Sequence, residues 1–216
     1  MKASGSSLAT ITEDGFAVLD RAKLNILSER PYSDNAAERE EQVKNDLATA
    51  TLSKGKRPSV ETSMHNAIGF SYVVHLHPTA VNGLMCGNNA EANLKSLFGE
   101  KALYIPYTDP GYVLFKKVED SIKAFRAKFK EEPAVIWLQN HGIFVAADSI
   151  EEIKALYTNI IETLDKAVVK PVPTEARATC SCTELTVPAI RQMLSKEGLK
   201  TPVSYTHLTL PTNREV

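Results

Sequence analysis

Short apolar runs alternating with longer amphipathic stretches predict an α/β layered domain, and three observations carry that reading. Residues 72–77, 102–105, 134–138 and 143–145 are apolar runs of strand length. Val118, Ile122, Phe125 and Phe129 recur at spacings of four, three and four, the stripe of a helix with one buried face. Over residues 149–168 the same pattern runs longer, with Ile153, Leu156, Tyr157, Ile160, Ile161, Leu164 and Val168 on one side. Helices interleaved with short strands must bury those faces against one another, which layers achieve.

Along the chain, residues 9–12 and 16–19 predict a hairpin across Glu13-Asp14-Gly15, since an Asp-Gly pair is a turn signal. Residues 34–46 carry apolar side chains too sparsely for deep burial and predict an exposed helix. Pro58 opens a second helix to about Ile68, because proline suits a first helical turn. Residues 72–77 form a strand stopped by Pro78, and residues 102–105 another, closed by Asp109-Pro110-Gly111. Residues 134–138 read as a buried strand, with 143–145 a second across His141-Gly142. Ser149 caps the last long helix, with Glu152 completing a capping box. Trp137 and its aromatic neighbours read as core, and Cys86 as packing.

The expected organisation is one domain over residues 1–169, a linker and short helix over 170–202, and a tail over 203–216. Pro171 and Pro173 mark the linker, and Ile190, Met193 and Leu194 the short helix. The tail resembles the translation of a transposase adapter used in sequencing libraries, which sets His207 aside.

Composition excludes several classes of function. In 216 residues, 25 Lys+Arg against 26 Asp+Glu leave a net charge of −1, with no bulk field for nucleic acid or an anionic membrane. No apolar run approaches the roughly 18 residues of a spanning helix. The 3 cysteines are too few for a disulfide framework, so a cytoplasmic protein with neither a membrane nor a nucleic-acid partner is expected.

Chemistry concentrates at a few positions. His75 and His77 are two apart in a strand, so their side chains share a face and can share a cation. His141 stands at the end of the 134–138 strand, where Gly142 frees the backbone to aim a side chain. Three histidines leave coordination positions open for substrate, as catalytic metal sites require. Glu61, in Pro58-Ser59-Val60-Glu61, is the acid/base candidate, and a helix's first turn favours its carboxylate. His65, one turn later, is a fourth ligand or, on the stronger reading, a buried histidine orienting Glu61. The small-residue loop at 2–7 can offer N–H groups and hydroxyls to a phosphate.

In these residues the sequence resembles the class II, metal-dependent aldolase/adducin family. Lys-x-Ser-Gly at 2–5, Pro-Ser-x-Glu at 58–61, His-x-His-Pro at 75–78 and Asn-His-Gly at 140–142 follow in the family's order, over residues 2–168. The resemblance implies an αβα sandwich around a mostly antiparallel sheet, here shortened at its amino end, where the family's Gly-Asn-Ser segment is absent. It implies zinc, one ion per subunit or another divalent metal in its place, on His75, His77 and His141, with Glu61 as catalytic acid/base. Ser4, Gly5 and Ser59 would bind a substrate phosphate.

The implied reaction is cleavage of a ketose 1-phosphate to dihydroxyacetone phosphate and an aldehyde through a zinc-stabilised enediolate, in a homotetramer. Pentulose-phosphate 4-epimerisation, sugar-phosphate dehydration and a non-catalytic adducin-head scaffold are the alternatives. The 14 residues from Glu61 to His75 and the Ser-Gly-Ser-Ser-Leu-Ala-Thr-Ile run at 4–11 resemble the aldolase half of bifunctional rhamnulose-phosphate aldolase/lactaldehyde dehydrogenases. Val60 replaces a serine often found before the glutamate, and no matching motif places the family's tyrosine among Tyr104, Tyr107 and Tyr112.

Overall fold

Four short strands join in a single sheet: β1 (Tyr72–Leu76), β2 (Leu103–Ile105), β3 (Val135–Leu138) and β4 (Ile143–Ala147). The computed structural model describes residues 1–168. The expected linker, short helix and tail lie outside the described residues. In the sheet order β1-β4-β3-β2, β4 is antiparallel to both neighbours and β2 runs parallel to β3.

Successive side chains of a strand point to opposite faces, so a strand covered on both sides must be apolar throughout. β4 meets this condition, with all five residues buried. Its Phe144 and Ala146 join Ile136 and Leu138 against α3 (Thr62–Ala67) and α6 (Tyr112–Phe129), through Met64, Leu114, Val118 and Ile122. Ile143 and Val145 join Trp137 on the other face, against α4 (Thr79–Met85), α5 (Ala90–Phe98) and α7 (Ile150–Ala167). Helices on both faces of a mostly antiparallel sheet make the αβα sandwich expected from the sequence. Trp137 is core, as expected, at 1% exposure.

A smaller cluster lies between α1 (Arg21–Glu29) and α2 (Ala36–Ala50), built from Leu24, Leu27, Val43, Leu47 and Ala50. Of the helix expected to be exposed over 34–46, only Val43 is buried, and the correction concerns its length and the stripe beyond it. Asn35 caps α2 by accepting from the Glu38 N–H at 3.1 Å, and the helix continues four residues past Asp46. Val43, Leu47 and Ala50 recur at four and three residues, a narrow stripe that α1 is enough to bury. α1, α4 and α5 are not foreseen by the sequence pattern. α4 and α5 are short and flanked by Gly87, Asn88, Asn89 and Gly99, residues that read as loop.

The expected hairpin over 9–19 is also corrected. Phe16 bridges Lys2 rather than residues 9–12, with Ala3 N–H donating to Gly15 O at 2.9 Å and Ala17 N–H to Met1 O at 2.7 Å. Residues Glu13–Gly15 form a 3-10 turn that folds back on Ile11. A Cβ on Gly15 would run into the Ile11 side chain, which would have to move aside. The predicted helix at 58 starts later, at Thr62, because Pro58 is engaged in a bridge to Ala3. At the last helix, Ser149 Oγ accepts from Glu152 N–H at 3.2 Å, the expected cap. No helix among the described residues is long and apolar enough to cross a membrane.

Candidate metal centre

β1 lies antiparallel to β4 in a register that sets His75 opposite Phe144. The two rings stack with centroids 4.2 Å apart and planes 26° from parallel. The Nδ1 of His75 stands 3.1 Å from the carbonyl of Ile143. A carbonyl only accepts, so Nδ1 donates to it, and Nε2 is the ring atom turned toward Glu61 and the other imidazoles. Such a second contact is what orients a ligating imidazole.

His77, just past the end of β1, brings its Nε2 to 2.9 Å from that of His75. His141 enters from the β3–β4 turn, its ring 5.1 Å from His75 and 4.9 Å from His77. The three ring planes stand at 73°, 80° and 87° to one another, like the walls of a corner. Glu61 closes the group, with Oε1 3.2 Å from His75 Nε2 and 3.1 Å from His141 Nε2. All four donor atoms lie within 4.8 Å of one another. Imidazole nitrogens and a carboxylate oxygen, gathered around a common point, suit a divalent cation of zinc's type. His75, His77, His141 and Glu61, singled out from the sequence, therefore form one cluster.

Burial by itself would raise the carboxyl pKa of Glu61, but hydrogen bonds to His141 and His75 and their charge outweigh it and hold the group well below the usual carboxylate range. His65 is not in the cluster. Its ring packs edge-on against Phe144 at 5.1 Å, and burial, followed by the charge of His75, pushes its imidazole down to about 4. It is a neutral packing histidine near neutral pH.

Glu61 sits at the cap position before α3 rather than within a first helical turn. Its N–H donates to Ser59 Oγ at 3.2 Å, leaving the Ser59 hydroxyl proton to point elsewhere. The Ala3–Pro58 bridge and the Ser4 N–H bond to Arg57 O at 2.9 Å bring the loop with Ser4 and Gly5 alongside the segment with Ser59. Gly5 has φ +85, and a Cβ there would meet no atom within 4 Å, so glycine serves the backbone conformation rather than space. Val60, where the sequence departs from the family's serine, lines a small crevice shared with Val43, Leu47 and Phe115.

Gly142 acts differently from expectation. Its φ is not in the left-handed region, which Asn140 occupies instead at φ +56. A Cβ on Gly142 would come within 2.3 Å of His77 Cδ2 and 2.6 Å of Leu76 O, so its missing side chain is the seat of the His77 ring. Phe144 and the Ile143 carbonyl are contacts of His75 that sequence reasoning missed, since only strand pairing reveals what lies across from His75. Of the three tyrosines, Tyr112 packs against Tyr32 and Phe115, Tyr104 packs beside the Trp137 cluster, and Tyr107 is 57% exposed. Cys86, expected to pack, is exposed at the end of α4.

The profile of the Class II Aldolase and Adducin N-terminal domain matches residues 1–168. The chain is 25% identical over 169 residues to the uncharacterized oxidoreductase YuxG of Bacillus subtilis (strain 168), an alignment covering 78% of this chain. It spans only 23% of YuxG's length. The solved N-terminal class II aldolase domain of a conserved protein from Thermoplasma acidophilum superposes with a TM-score of 0.64 at 23% identity, over 77% of this chain and 72% of that one.

Proposed function

This chain belongs to the class II aldolase and adducin N-terminal domain family, and from that premise we propose that it is an aldolase cleaving a ketose 1-phosphate to dihydroxyacetone phosphate and an aldehyde. The observation that carries the reading is the convergence of three imidazole nitrogens and one carboxylate oxygen within 4.8 Å. A non-catalytic scaffold has no use for four such groups turned toward one point.

In this reading His75, His77 and His141 hold zinc, which all-imidazole sets suit. When bound, the ion supplies Lewis-acid stabilisation of substrate oxygen as the C3–C4 bond breaks. The remaining work falls to the chain's own groups. Bond cleavage leaves an electron pair on C3 and releases the C4 hydroxyl proton, so C3 must take up a proton. Glu61 carries that proton, and its ionised form is the one that removes it in the condensation direction. Its backbone bond to Ser59 couples its place to the phosphate end of the substrate. The loop at Ser4 and Gly5 and the Ser59 hydroxyl bind the phosphate, and their adjacency across the Ala3–Pro58 bridge supports that role.

We propose a ketose 1-phosphate of the rhamnulose or fuculose type as the substrate, and the chain as the aldolase part of a longer, bifunctional protein that acts as a homotetramer in the cytoplasm. Alignment to less than a quarter of a relative named an oxidoreductase supports the longer protein.

A panel of ketose 1-phosphates incubated with the zinc-loaded chain tests the proposal. Release of dihydroxyacetone phosphate from at least one of them is expected. Epimerised or dehydrated sugar with no cleavage product would replace the aldolase reading.

A further inference from the structure

Among the described residues with a side chain, only Lys130 and Asn140 have left-handed backbone. Lys130 simply ends α6, where such a conformation is common. Asn140 is different, because it precedes a member of the metal cluster.

The β3–β4 turn closes when His141 N–H donates to Leu138 O at 3.2 Å. Asn140 is then the third of four turn residues, and a positive φ at that position favours glycine or asparagine. The turn is tied on each side. Leu138 N–H donates to Gly142 O at 2.9 Å, Gln139 N–H to Ile105 O at 3.0 Å, and Asn140 N–H to Met85 O at 3.3 Å. His141 is the residue that closes this turn, and its Nε2 lies 3.1 Å from Glu61 Oε1. The direction of its ring thus follows from the backbone at 140.

We propose that Asn140 is a positioning residue whose left-handed conformation holds the turn that aims His141 at the other two imidazoles before any cation arrives. The inference rests on the metal-site reading above. An asparagine visits this region with little penalty, whereas a β-branched side chain resists it. With valine at 140 the turn relaxes in the metal-free protein, and cation binding must restore it.

The test is titration of the full chain with Zn²⁺ and Co²⁺, alongside thermal unfolding without metal, for wild type, Asn140→Gly and Asn140→Val. Asn140→Gly keeps the left-handed backbone and is expected to bind within about twofold of wild type, with the same cobalt absorption spectrum. Asn140→Val is expected to bind roughly 5–30-fold more weakly, the affinity equivalent of the left-handed cost, with an altered spectrum. Should it fail to fold, Asn140→Ala takes its place with the expectation of weaker binding than Asn140→Gly.

A lower unfolding temperature in Asn140→Val with unchanged affinity and spectrum would overturn the inference, leaving the turn a matter of stability alone. An equal loss in Asn140→Gly would also overturn it, by assigning the effect to the amide. A wild-type chain that binds neither ion removes the metal-site reading and this inference with it. A wild-type chain that binds while the valine and alanine variants bind as well removes this inference only.

Discussion

The histidine end of the sheet and the amino-terminal segment are built by different means. β1 pairs with β4 through five residues, and β3 with β4 through three, so His75 and the His141 turn sit in a continuous ladder covered on both faces. Residues 1–20 instead meet their neighbours at isolated bridges, Lys2 to Phe16, Ala3 to Pro58 and Leu19 to Thr51. Phe16 and Val18 remain 45% and 60% exposed, and the burial behind those bridges comes chiefly from small side chains such as Ala3 and Ala17. The difference teaches that the histidine cluster is preorganised by the core, while the segments proposed to bind phosphate depend on a few backbone bonds. Changes at the first should act on cation affinity and turnover, and changes at the second on substrate affinity.

The sharpest break of this comparison is His75→Ala, which removes a donor and its stack on Phe144. It should eliminate turnover and lower zinc affinity by more than the roughly 10–100-fold seen for outer partners of a ligand, as read by competition with a chelating dye. Glu61→Gln should keep the cation and reduce kcat by roughly 10²–10⁴-fold, the usual worth of a positioned proton carrier. Metal analysis beside steady-state kinetics separates those outcomes. Gly142→Ala should come next. Its Cβ displaces the His77 ring and crowds Leu76 O, and zinc affinity should fall roughly 10–100-fold.

On the other side of the comparison, Ser59→Ala should raise KM about 10-fold for a phosphorylated ketose, the worth of one hydrogen bond to a charged group. Zinc affinity should stay unchanged; a matching loss of zinc would show that the two regions are not separable. The smallest effect belongs to Asn35→Ala, which removes the cap of α2 far along the chain from the cluster. It should cost about 1 kcal/mol in denaturant unfolding and leave both zinc affinity and kcat as they were.

What can be read from the residues alone follows the same division. Strands 72–76, 135–138 and 143–147 are legible because each is apolar and of strand length, and α7 because its stripe is long and its cap is Ser149. His75 and His77 follow from strand alternation, and His141 from its place in the turn. The amino-terminal pairing is not legible. The Asp14-Gly15 signal marks a real turn, but which segment pairs with Phe16 is decided by Met1–Ala3 coming back from outside the local sequence. The inner stripe of α2 is hidden because three apolar residues suffice when the partner helix is as small as α1. The role of Gly142 is hidden too, since a clash with His77 depends on two strands being neighbours in space.

The central claim is that His75, His77 and His141 hold a single cation beside Glu61. Anomalous diffraction from crystals of the zinc-loaded chain measures this directly. The account predicts one peak, about 2.0–2.1 Å from the Nε2 of each histidine. A zinc peak at other side chains, with the three rings left without metal, would contradict it.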